Sequence, residues 1–173
     1  MSSKASLFPV IGDHYRTMTD VRSGDYRRRD LFLFLGAPLA LAAISVVYGA
    51  ELPSAGDLIQ GVSILTGLLF ALVIFVFQLR LQVSSDDRIG PVRRIAILID
   101  ELFANVLYAV VVGLATTAVV VIAGASVGPD SGGEAAPVNR WWTGAVVLAC
   151  SHLLLTIAMC LKRTRAAYAD LKA

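Results

Sequence analysis

The chain has 173 residues, 57% of them hydrophobic and 16% charged, with a formal net charge of +2 and a mean hydropathy of +0.72. Soluble domains are typically under half apolar and about a quarter charged. This chain therefore has too little polar surface to cover a water-soluble globule, and a bilayer is its natural solvent.

The charges are segregated. None falls in 31–50, 58–79, 102–129 or 141–161, runs of 20, 22, 28 and 21 residues. A helix needs about 20 apolar residues to cross the hydrocarbon core. Lipid offers no partners for backbone N–H and C=O groups, so a spanning segment is a helix or part of a closed barrel, and these runs lack the alternation of barrel strands. The sequence predicts an all-α integral membrane protein with four transmembrane helices, 31–50, 58–79, 102–126 and 141–161, in an antiparallel bundle.

Orientation follows from the basic residues. Fourteen of the fifteen Lys and Arg lie before span one, between spans two and three, or after span four; one lies on the other side. The positive-inside rule puts both termini in the cytoplasm. With nine acids on the cytoplasmic side and four outside, the faces carry +5 and −3. Arg outnumbers Lys twelve to three amid much Ala, Val, Leu and Gly, a usage associated with GC-rich bacteria, so the expected location is a bacterial inner membrane.

In chain order, residues 1–30 form a polar N-terminal tail, too long for the leader of a cleavable signal peptide. It ends in Arg27, Arg28 and Arg29. That cluster suits a stop-transfer signal, and equally anionic lipid head groups or an acidic partner. Span one contains Pro38, which removes the backbone bond to Phe34 and should kink the helix. The outer loop 51–57 is so short that spans one and two should form an antiparallel hairpin.

Span two carries Ser63, Gly67 and Ala71 on one stripe, and span three carries Asn105, Ala109, Gly113 and Thr117 on another. Small residues let membrane helices approach closely, so both stripes are read as packing surfaces, within the bundle or between subunits of a homo-oligomer. Between these spans, the connector 80–101 has turn signals at Ser84–Asp87 and Gly90-Pro91. It then becomes amphipathic, with Val92, Ile95, Ile99 and Leu102 on one face and Arg93, Arg94, Asp100 and Glu101 on another. This segment either lies on the membrane or projects span three into the cytoplasm. With Arg27–Arg29, Arg93 and Arg94 are the expected contacts for anionic lipid or a cytosolic protein partner.

Gly124-Ala125-Ser126-Val127-Gly128 has the G-x-S-x-G spacing of hydrolase nucleophiles, followed by Asp130 and His152. That pattern requires a strand–turn–helix context, whereas here it ends a membrane helix. His152 should also lie roughly 16 Å deeper than the surface along span four. Catalysis is not expected. The outer loop 127–139, with two prolines and three glycines, is not expected to carry a site.

Span four opens on Trp141 and Trp142, residues suited to the membrane interface. Deeper in it stand Cys150, His152 and Cys160. The cysteines are roughly 15 Å apart in helix rise, beyond the ~7 Å Cα separation that a disulfide allows. A zinc site needs three or four ligands, and the only other histidine, His14, is in the tail, so no metal or cofactor is expected. His152, near mid-bilayer, is the main candidate for an intramembrane polar site. An ionisable residue at that depth is a functional hypothesis by default. A neutral imidazole needs a donor and an acceptor, and Thr66, Ser45 and Tyr108 reach comparable depths. Asn105, one turn inside the membrane, also needs a partner. The tail 162–173 is basic and cytoplasmic.

No P-loop, G-x-G-x-x-G, CxxC or HExxH motif is present, and neither an enzyme nor a nucleic-acid partner is expected. Two functional classes remain. The first is an oligomeric interaction or effector subunit whose basic cytoplasmic face anchors a partner at the membrane or perturbs the bilayer. The second is a small ion or proton channel or carrier lined by His152 and Asn105. The first leads because the spans hold no acid or permanent cation of the kind a dedicated ion path uses.

Overall fold

The computed structural model describes residues 9–12, 28–84, 91–127 and 137–172. Apart from a helical turn at 9–12, these form α1 (Arg28–Val47), α2 (Gly56–Ser84), α3 (Pro91–Ala125) and α4 (Arg140–Lys172). The one extended pairing among the described residues is an isolated bridge between Leu52 and Val138.

Three helical segments are long and apolar enough to cross a membrane: Gly56–Val83, Ile95–Ala125 and Arg140–Lys162. The apolar part of α1, Phe32–Val47, is shorter. Its 16 residues rise roughly 24 Å, less than the ~30 Å hydrocarbon core. The predicted first span reached residue 50, but the helix ends at Val47, and Gly49 takes a left-handed φ of 65° that turns the chain away.

The helix ends are satisfied locally. Asn139 Oδ1 accepts from the N–H groups of Trp141 (2.9 Å) and Trp142 (3.2 Å), capping the exposed amides of α4. Within the apolar runs, hydroxyls bond back to their own helix. Thr66 donates to the Val62 carbonyl (2.7 Å), Thr116 to Val112 (2.8 Å) and Thr156 to His152 (2.8 Å). Each is thereby buried without an orphaned donor.

The helices do not form the closed bundle that the sequence suggested. α1 packs on α4, α4 on α3, and α3 on α2, while α1 and α2 have no backbone contact among the described residues. The predicted hairpin of the first two helices is therefore absent. The connector explains why. Leu52 pairs with Val138, its N–H also reaches Thr143 Oγ1 at 3.2 Å, and Thr143 donates to the Val138 carbonyl at 3.1 Å. These bonds pin the α1–α2 connector across the N-terminal end of α4, so α2 starts on the far side of that helix.

Two apolar clusters hold α2, α3 and α4 together. One, near the connector, includes Ala55, Val120, Ala123 and Val146. The other, deeper, includes Val62, Leu69, Ala109, Val110 and Leu153. The outer faces remain apolar: Phe70, Phe75 and Phe77 of α2 are each more than half exposed. An apolar surface this extensive fits lipid rather than water.

The amphipathic segment 91–101 is the first three turns of α3, continuous with the apolar run. At 35 residues, α3 is roughly 52 Å long, well beyond the hydrocarbon thickness. α2 also continues past Arg80 to Ser84. Arg80 Nε donates to Asp100 Oδ1 at 2.6 Å, tying the two extensions at their base.

Candidate functional site

His152 sits where three helices converge. It is half-buried on α4, and its Nε2 lies 3.0 Å from Tyr108 Oη on α3. Tyr108 is 93% buried. Phe34 of α1 meets the imidazole edge-on, with ring centroids 4.6 Å apart at 65°.

The backbone of Phe34 hydrogen-bonds the His152 ring, and the sequence of α1 shows why its carbonyl is available. In a helix the carbonyl of residue 34 is served by the N–H of residue 38. Residue 38 is proline, which has none. Pro38 is fully buried, so water cannot replace that donor, and an unserved buried carbonyl is costly. The His152 ring is the polar side chain beside this carbonyl.

One tautomer suits both neighbours. A carbonyl accepts only from N–H, while Nε2 faces a hydroxyl that is able to donate. Protonation on Nδ1 would let the Tyr108 O–H donate to Nε2 and leave an Nδ1–H for the Phe34 carbonyl. The proline and the histidine are thus complementary halves of one contact, which joins α1 to the other helices at depth. Nearer the outer end α1 is held by shape: a Cβ placed on Gly144 would lie 2.5 Å from Val46 Cγ2.

Of the three partners expected for His152, Tyr108 is the one that reaches it. Thr66 instead lies against Gly113, where a Cβ would come within 2.6 Å of its Oγ1, and its hydroxyl is engaged by Val62. Ser45 Oγ is buried without a hydrogen-bond partner among the described residues. Asn105 is fully buried and its Nδ2 donates to the Glu101 carbonyl at 2.7 Å, within its own helix.

The two small-residue stripes behave differently. Asn105, Ala109 and Gly113 face inward on α3, and Thr117 is half-buried with its hydroxyl on the Gly113 carbonyl (2.9 Å). Ser63, Gly67 and Ala71 face outward on α2, and a Cβ on Gly67 would meet nothing within 4 Å. The α2 stripe takes no part in packing within the subunit.

Ser126 is exposed just past the end of α3 and donates to the Ala123 carbonyl at 2.7 Å. Asp130 lies outside the described residues. Cys150 and Cys160 are free thiols, half-buried and buried respectively. No group of three or more potential metal ligands occurs among the described residues. Arg27 lies outside the described residues; Arg28 and Arg29 fall in the first turn of α1 and Arg93 and Arg94 near the start of α3, their side chains undescribed.

Comparison with family models, with curated proteins and with solved structures gives no match.

Proposed function

We propose that the chain is an oligomeric interaction or effector subunit of a bacterial inner membrane. Its apolar helices serve as the anchor, and its basic cytoplasmic side receives a protein partner or anionic lipid. The observation that carries this reading is the extension of α3. Residues 91–101 continue the apolar helix without a break, and the Arg80–Asp100 ion pair braces their base against α2. An unbroken helix roughly 16 Å long that carries Arg93 and Arg94 in its sequence is a regular surface on which a partner could dock.

On this reading α1 is a fourth crossing and both termini are cytoplasmic. Its deficit of a few ångströms is met by local thinning of the bilayer. The outward stripe Ser63, Gly67 and Ala71 is the subunit contact, where close approach of backbones favours association in lipid.

The alternative is a channel or carrier lined by His152 and Asn105. It has less support. Both residues are already hydrogen-bonded within the subunit, and Thr66, Thr116 and Thr156 are bonded to their own helices. A polar file would need groups free to replace the hydration of an ion.

The test replaces Arg27, Arg28, Arg29, Arg93 and Arg94 with glutamine. Association with cytosolic proteins in native membranes and with anionic vesicles should be lost, while oligomer size on native gels is unchanged. Unaltered binding to both would refute the proposal.

A further inference from the structure

An apolar groove of about 450 Å³ runs between α1 and α4. Its walls include Leu39, Ala43 and Val47 from α1 and Trp141, Ala145 and Leu148 from α4. Gly144 forms its floor, where the absence of a side chain lets α1 approach closely. From Trp141 to Leu148 the groove extends roughly 10 Å along the helix axis. A single leaflet contributes about 15 Å of hydrocarbon, so the groove lies within one leaflet and points along the membrane normal.

Its mouth is polar in a specific way. Arg140 is the sole Lys or Arg between residues 102 and 161. It is exposed, and its guanidinium lies 5.5 Å from the centre of the Trp141 ring that lines the groove. No carboxylate among the described residues pairs with it. A cation held on the face of a ring that lines an apolar slot shorter than one leaflet matches a phosphate head group with an acyl chain.

We infer that this groove binds a glycerophospholipid of the leaflet facing the α4 N-terminus, with an acyl chain between α1 and α4 and the phosphate on Arg140. Guanidinium and phosphate make strong charge-assisted hydrogen bonds. The inference needs α1 and α4 to lie in the bilayer but does not depend on the cytoplasmic partner, since Arg140 and the basic cluster are at opposite ends of the helices.

The test is native mass spectrometry of the full chain, delipidated in mild detergent and titrated with dioleoylphosphatidylethanolamine or with dioleoylglycerol, which has the same tails and no phosphate. The wild type should retain one phospholipid per subunit more than the Ala43→Trp variant, whose indole fills the slot. Arg140→Gln should weaken that adduct about tenfold, and dioleoylglycerol should not replace it. Both substituted residues are exposed, which spares the fold. As a second readout, Trp142→Phe leaves Trp141 as the sole tryptophan. Its emission should be quenched saturably by a bromoacyl analogue of the phospholipid. Equal adducts in wild type and both variants, equal retention of dioleoylglycerol, or an Ala43→Trp variant that loses a subunit contact and no lipid would overturn the inference.

Discussion

Tyr108 and His152 lie 44 residues apart in sequence on different helices, and their Oη and Nε2 atoms are 3.0 Å apart. With the Phe34 backbone on the other side of the imidazole, this contact joins three of the four helices. It holds His152 between α3 and α1.

If the hydroxyl donates to the imidazole, removing either partner should cost stability, and removing both should cost less than the sum. We expect Tyr108→Phe to destabilise the chain by about 1 kcal/mol. A double-mutant cycle with His152→Ala should give a coupling of roughly 0.5–1.5 kcal/mol, the range for side-chain hydrogen bonds between membrane helices. Reversible unfolding in mixed micelles measures both. Additive losses would show that the two residues are merely near each other.

The role of Pro38 makes a sharper prediction. Pro38→Ala restores an N–H to the Phe34 carbonyl, so His152 is no longer its only donor. His152→Ala should therefore cost less in the Pro38→Ala background than in the wild type. An equal or larger cost would dissociate the proline from the histidine.

The glycines on the two stripes should respond differently. A Cβ at Gly113 meets Thr66, a stiff β-branched side chain, at 2.6 Å. Gly113→Ala should cost about 1–3 kcal/mol through overpacking. Gly67 faces open space, and Gly67→Ala should change subunit stability by less than about 0.5 kcal/mol. Gly67→Leu should reduce the oligomer on native gels and leave the monomer folded. An intact oligomer would place the subunit contact elsewhere.

The Arg80–Asp100 pair is exposed, and exposed pairs add little stability. Its expected effect is on the direction of the N-terminal extension of α3. Asp100→Arg should reduce partner association with no measurable change in melting temperature, and Arg80→Asp in the same chain should restore it. Failure of the double reversal to rescue would mean that the pair does not orient α3.

Much of this architecture was legible in the sequence because hydrocarbon thickness is a strict ruler. Charge-free runs of 22, 28 and 21 residues correspond to the three long apolar helices. The end of α1 was not legible, because residues 48–50 are uncharged yet turn at Gly49, and a count of charge-free residues cannot see a backbone turn. The α1–α2 hairpin was misread for a related reason. A short loop suggests adjacency, but the bonds from Leu52 to Val138 and Thr143 carry the chain across α4 instead. At the site, Tyr108 was predictable by depth. The loss of the Phe34 bond at Pro38 was also predictable, but its meeting with His152 was not, because that depends on which helix α1 packs against.

The most direct test of the central claim, that the buried polar groups are structural and the protein works through its cytoplasmic surface, is proton flux through vesicles. The chain would be reconstituted in liposomes and the leak of protons and a small dye measured at two pH values, for wild type and His152→Ala. The account predicts tight vesicles at both pH values for both proteins, with His152→Ala differing only in stability. A pH-dependent proton leak that disappears in His152→Ala would contradict it and make His152 part of a conducting path.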